Sequence, residues 1–394
     1  MSQSHPGKDV FGKLSWATLA LGLALAAISY LAYVASLDLI MTPELAGDVL
    51  LGQEILRQKS LVPTAWYYGD TLGTIGVPAF SAFFSLFNAG YLLSYRLGVL
   101  LMLGLELISF SYMADRLRLT RTSSLLFLGI FLGARSFVSG TWSGMGFCLL
   151  GMYHVMFFLA VGYLSARDQG NFGRPEKALR FLLPALSFLL GLEGLLILLV
   201  LLVPLVLLRP VRLPWRPAPA RGPRPSFREV ALWAALGLLG YLCLSFLVLP
   251  RGFGPSLPYT TEITGAYHAV MGNIPSLFVS FLDDTPLWAI KGPADILAPP
   301  SLASFAFLTL CAYSLYVARA SFRSAGPVLA FPLRLLLVGL VLTFLLTIIC
   351  VPQARIKSLF YFYILLAFII VIYHNYLESD NPRLASLLVL ACGA

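Results

Sequence analysis

Residues 14–36 read LSWATLALGLALAAISYLAYVAS, an unbroken apolar stretch without a single charge. Wound as a helix at about 1.5 Å per residue, it is about 35 Å long, enough to cross a hydrocarbon core of about 30 Å. No clean small-residue cleavage site follows it, so the sequence predicts a retained first membrane helix and not a removed leader. The next segment is opposite in character. Residues 42–70, TPELAGDVLLGQEILRQKSLVPTAWYYGD, together with Asp38 carry five carboxylates at the edge of that apolar run.

The rest of the chain repeats this alternation. Of its 394 residues 59% are hydrophobic and 11% charged, with a mean hydropathy of +0.85, far from the usage of soluble domains. Spanning candidates lie at about 90–113, 122–134, 143–165, 182–208, 230–249, 302–318, 334–351 and 358–376, and the shorter 72–87 is broken by Gly73, Gly76 and Pro78 as a re-entrant or interfacial piece would be. The expected fold is all-α: one integral membrane domain over 1–394, a polytopic bundle of about ten or more segments with surface helices in its outer loops. The five cysteines have neither disulfide nor zinc spacing.

The net charge of +9 is a topology signal and not a nucleic-acid footprint, because the basic residues sit in short breaks between apolar runs. Placing the N-terminus, residues 115–121, 166–180, 209–230 and 318–334 and the C-terminal tail in the cytoplasm puts 19 of the 27 Lys and Arg inside. Both flanks of 182–208 are then cytoplasmic, so that segment is expected to be a hairpin with Glu193 at its outer tip. Residues 37–89 and 250–301 become the two large outer loops, and ten of the 18 acids fall on the outer side. A multi-pass cell-membrane protein is the expectation. The last run, LASLLVLACGA, is too short to span, which reads as an incomplete final helix.

Within the first outer loop, Thr42 followed by Pro43 and Glu44 is a helix start: a capping hydroxyl, a proline at the first helical position and an acid at the positive end of the dipole. Winding 43–59 at about 100° per residue gathers Leu45, Val49, Leu51, Gly52, Ile55 and Leu56 on one arc. Glu44 and Asp48 share that arc, while Glu54 and Arg57 point away. Carboxylates turned toward a bilayer or a protein interior are costly unless paired or used, so Glu44 and Asp48 are the candidate catalytic acids. Competing roles are the helix dipole for Glu44 and an ion pair with Arg135 or Arg355 for Asp48.

This pattern resembles the GT-C superfamily of membrane glycosyltransferases, which includes protein O-mannosyltransferases and aminoarabinose transferases. The likeness rests on PELAGDVLLGQEILRQKSLVP, the following WYYGD, the outer GARSFVSG and VPQARIKSLFYFY near the C-terminus. It implies transfer of a sugar from a polyprenyl-phosphate donor to an acceptor on the outer face, with a catalytic acid in the first outer loop. The chain departs from that family in lacking an obvious Asp-Glu pair. Such a transfer needs a base for the acceptor proton and cations for the departing phosphate. Asp48 or Glu44 is the expected base, with Asp48 deeper in the arc. Arg355 and Lys357, with Arg135, are the expected phosphate ligands. Trp66, Tyr67 and His268 are candidate sugar or acceptor contacts, although Trp66 and Tyr67 also suit an interfacial belt and Arg355 and Lys357 suit snorkelling anchors.

His154 in GMYHVMF reads as a hydrogen-bonded core histidine, and Glu106 as the partner of a neighbouring polar group. No metal site is expected with certainty; Asp283 and Asp284 offer a divalent cation two adjacent acids, or serve a turn. The chain has no GxxxxGK[ST], HExxH or GxSxG stretch, so nothing favours an ATP-driven pump, a zinc protease or a serine hydrolase. Two other functions fit the same features: a transporter or flippase of a lipid-linked saccharide, and an O-antigen polymerase or ligase. Transporters often carry internal repeats, and none stands out by eye.

Overall fold

The computed structural model describes residues 6–37, 43–64, 66, 72–87, 90–117, 119, 125, 128, 132, 141–168, 170, 173–194, 227–248, 338, 339, 341 and 342. Every regular element among them is a helix, and none is a strand. Apart from a few single residues, the spans expected beyond residue 300 and the span 122–134 lie outside the described residues, as do 195–208 and the whole of the loop 250–301.

Helix α1 (Pro6–Ala35) contains the apolar run that opens the sequence. Ala26, Tyr30 and Val34 recur every fourth residue and are buried along one face, while Leu21, Ile28 and Leu31 are exposed on the other. Helix α2 (Pro43–Gln58) starts where Pro43 suits the first turn. After a break comes the nine-residue α3 (Val77–Ser85), then the 26-residue α4 (Tyr91–Arg116). Helices α5 (Thr141–Asp168), α6 (Arg174–Leu192) and α7 (Phe227–Cys243) complete the set, α7 running on into a π turn at Leu244–Val248. Among the described residues, two helical stretches, Tyr91–Arg116 and Arg228–Val248, are long and apolar enough to cross a membrane.

Side-chain pairings fix the directions. Helices α4 and α5 run parallel: Met102 lies against Gly151, Glu106 bonds His154, and Phe110 meets Phe158 edge-on at 5.5 Å. Helices α6 and α7 are also parallel, since the Ser187 hydroxyl donates to the Trp233 carbonyl at 2.6 Å and Gly191 abuts Gly237. A Cβ on Gly191 would overlap the Gly237 carbonyl, and one on Gly240 that of Phe188. The two pairs oppose each other, because Glu176 near the start of α6 meets Tyr112 and Arg116 at the end of α4. One end of the bundle is therefore marked by Arg116, Arg167, Glu176 and Glu229, the other by Tyr91 and the end of α1.

Helix α3 does not reach the full depth of this bundle. It starts at Gly76, where a Cβ would stand 3.2 Å from Met102, a residue near the middle of α4, and it ends close to the start of α4. The broken stretch 72–87 thus folds as a half-length helix entered through the extended loop Leu72–Gly76. The loop needs glycine twice, with φ of 66° at Gly73 and 128° at Gly76, values that other residues adopt only with strain.

One expectation changes in detail. Helix α6 begins at Arg174, not near residue 182, so the first arm of the expected hairpin is 19 residues long and about 28 Å, not short. Glu193 sits in the turn that closes α6.

Candidate functional site

At the Tyr91 end, α2 lies with Leu45, Leu51 and Ile55 buried, and Leu45 and Val49 pack into a core with Tyr95 and Val99 of α4 and Val77 of α3. The same face carries Asp48. Its carboxylate lies 3.4 Å from the hydroxyl of Tyr95, whose side chain is fully buried. That separation is at the long end for an O–H···O bond. Glu54 takes the other side of α2, where Arg57 and Gln58 bond it. The hydrogen bonds from Arg57 and Gln58 hold its carboxyl down at about 2. Asp48 and Glu54 therefore occupy different environments on one helix, the first against the bundle and the second in a surface ion pair. Glu44 belongs to the first turn of α2; its side chain lies outside the described ones.

Trp66 is half-buried and belongs to two apolar groups at once. One is Leu51, Ile55 and Ala82; the other is Leu72 and Leu244, with Ile75, Leu192 and Tyr241 around them. It is wedged where α2 and α3 meet the ends of α6 and α7. Tyr67, Arg135, His268, Arg355 and Lys357 lie outside the described residues, as do Asp283 and Asp284. Among the described residues no three His, Cys, Asp or Glu side chains come together as a metal site would need.

Halfway along α4 and α5, Glu106 and His154 form a buried pair, Oε1 to Nδ1 at 2.8 Å, with both side chains almost entirely enclosed. The pairing foreseen for each of them is thus made with the other. Gly151 lets Glu106 and Met102 come close, and Met102 in turn touches the turn at Gly76.

Glu193 was legible only as a tip residue, and its role is more definite. Its Oε2 accepts the N–H of Gly73 at 2.8 Å and its Oε1 that of Ile75 at 2.7 Å, while the N–H of Leu72 bonds the Leu192 carbonyl at 3.3 Å. Its side chain is buried. Hydrogen bonds to a carboxylate are stronger than neutral ones, about 1.5–3 kcal/mol each. Two on one group fasten the loop before α3 to the end of α6. Thr74, between the two donors, is fully buried, and its hydroxyl has no hydrogen-bond partner among the described residues.

The opposite end of the bundle holds a matched pair of clamps. Glu176 accepts the Tyr112 hydroxyl at 3.0 Å and pairs with Arg116 at 2.8 Å, while its other oxygen takes the Gly173 N–H at 2.8 Å. Glu229 accepts the Tyr163 hydroxyl at 3.1 Å and pairs with Arg167. Each clamp joins a Tyr-x-x-x-Arg helix end, YMADR or YLSAR, to the third residue of a later helix, where an acid also suits the dipole. This five-residue signature recurs at the ends of α4 and α5.

No protein-family model, no curated protein and no solved structure matches the chain.

Proposed function

We propose that this chain is a multi-pass membrane glycosyltransferase that takes a sugar from a polyprenyl-phosphate donor and transfers it at the outer face of the membrane. The observation that carries this reading is Asp48, a carboxylate on the face of α2 that packs against the bundle, beside the hydroxyl of the buried Tyr95. In the reaction the acceptor hydroxyl gives its proton to Asp48, its oxygen bonds to the anomeric carbon, and the phosphate leaves with the electrons of the broken C–O bond. The reading assigns the leaving phosphate to Arg355, Lys357 and Arg135, and the sugar or acceptor to Trp66, Tyr67 and His268.

The membrane setting draws support from the outside of the bundle. Ile108, Phe181 and Phe246 are among large apolar side chains exposed on three different helices, an exterior that suits lipid better than water. The parallel course of α6 and α7 supports the orientation. The connection from Gly194 to Phe227 must return to the end where α6 began, which agrees with a hairpin and a cytoplasmic 209–230 loop. The Tyr91 end, with Asp48, is then the outer one, and the N-terminus is cytoplasmic.

The test is transfer in proteoliposomes, using a panel of polyprenyl-phosphate hexoses and pentoses. Asp48→Asn is expected to slow transfer by about 10²- to 10⁴-fold, the usual contribution of a general base. Glu54→Gln is expected to leave it within about twofold, as befits an exposed ion pair. A loss below about tenfold for both Asp48→Asn and Glu44→Gln would remove the carboxylates of α2 from the chemistry. One feature favours a second reading, a transporter of a lipid-linked saccharide. A half-length helix starting at mid-bundle beside a buried Glu–His pair is an arrangement that transport proteins use for coupling. Translocation that survives Asp48→Asn but stops with Glu106→Gln would select it.

A further inference from the structure

Helix α3 is seated in a slot that only glycines leave open. On one side Gly52 of α2 faces it so closely that a Cβ there would stand 3.1 Å from the Pro78 carbonyl and 3.2 Å from Ser81. On the other side Gly98 of α4 faces it in the same way, 3.1 Å from the Val77 carbonyl and 3.2 Å from the Ser81 nitrogen. Asp48 is one turn from Gly52 along α2, and Tyr95 is one turn from Gly98 along α4. The distance between the Asp48 carboxylate and the Tyr95 hydroxyl is therefore set by how far α3 is pushed between the two helices. What fixes α3 along its axis is the loop before it. That loop is held by Glu193, through the Gly73 and Ile75 N–H groups, from a helix more than a hundred residues further on.

We propose that Glu193 is a positioning residue for the outer-face site: its carboxylate latches the loop Leu72–Gly76, the latch sets the seat of α3, and the seat of α3 sets the approach of Asp48 to Tyr95. The role of Asp48 as base rests on the glycosyltransferase reading; the mechanical coupling does not. The two N–H groups point at one carboxylate from alternate residues, and the glycine conformations at 73 and 76 bracket them, so the loop is shaped to receive an anion at this spot. A glutamate supplied by α6 fills it and ties the α6–α7 pair to the half-helix. Glu193→Ala removes both acceptors. Glu193→Gln keeps one carbonyl oxygen and so one of the two bonds.

The experiment uses the full-length protein with its own cysteines replaced and a single cysteine at position 48, in detergent or proteoliposomes, with a small water-soluble thiosulfonate as probe. Glu193→Ala is expected to change the labelling rate at position 48 by at least fivefold, and Glu193→Gln by an intermediate factor, while both variants stay monodisperse. In the protein with Asp48 intact, Glu193→Ala is expected to lower kcat for transfer at least tenfold with the donor KM within about threefold, Glu193→Gln again falling between. Unchanged labelling in both variants would overturn the latch. Changed labelling with undiminished kcat would overturn its positioning role. If the unaltered protein transfers no sugar at all but labelling responds as expected, the glycosyltransferase reading falls and the latch stands.

Discussion

Glu176 shows how a single residue in this bundle serves three partners at once, and it yields a pH prediction whose sign can be worked out. Burial raises its carboxyl, but the N–H groups of Glu176 itself and of Gly173, the Tyr112 hydroxyl and Arg116 outweigh burial and hold it below its ordinary value of 4.5. A carboxyl depressed by folding adds stability that is fully present above the unfolded value and is lost as pH falls through the folded one. Glu176→Gln is therefore expected to cost on the order of 3 kcal/mol near neutral pH, as removal of one partner from a buried pair does. The gap in melting temperature between the variant and the unaltered protein should narrow below about pH 4.5; a gap independent of pH would mean that Glu176 is held as the neutral acid. Residue-scale facts were unevenly legible in the sequence. The division of α2 between Asp48 and Glu54 follows from winding the helix, a local regularity. The bonds of Glu193 to residues 118 and 120 positions away follow from no local rule, because only the packed fold brings them together.

Among the elements, the α6–α7 crossing is the tightest, since backbone meets backbone at Gly191, Gly237 and Gly240. Gly240→Ala places a methyl onto the Phe188 carbonyl and is expected to destabilise the protein by about 1–3 kcal/mol, the usual cost of overpacking. Gly104→Ala, in the interior of α4 with none of the described residues within 4 Å of an added Cβ, is expected to stabilise it by about 0.5–1 kcal/mol through helix propensity alone. Thermal unfolding followed by circular dichroism in detergent separates the two; equal effects would mean that the crossing yields freely. The start of α6 shows why an element can be misjudged from sequence. Residues 166–180 are rich in charge and read as a connector, yet Gly173, Pro175 and Glu176 form a helix start within it, and the charge of Arg174, Lys177 and Arg180 did not prevent the helix. In 72–87, by contrast, the glycines and the proline announced a broken segment, and the structure breaks there.

At the scale of the molecule, hydrophobic runs and charge bias made the all-helical character legible, while the pairing of helices was not, because apolar periodicity says which face is buried and not against what. The parallel course of α6 and α7 gives the expected topology a test in intact cells. A cysteine at Ala218 is expected to resist a membrane-impermeant maleimide from outside and to react once the membrane is opened. Ready labelling from outside would place the arginine-rich loop on the other face and sink the orientation proposed for Asp48. The twin clamps at the Arg116 end carry a further consequence. They share one chemistry but not one environment: the Glu176 side chain is fully enclosed, whereas that of Glu229 keeps 19% of its surface and its partner Arg167 keeps 34%. Dissolved salt weakens the attraction of charges it can surround and barely reaches those it cannot. As ionic strength rises, the grip of α5 on α7 should slacken while that of α4 on α6 holds, so the bundle has a built-in order of loosening, with its seam between α5 and α7.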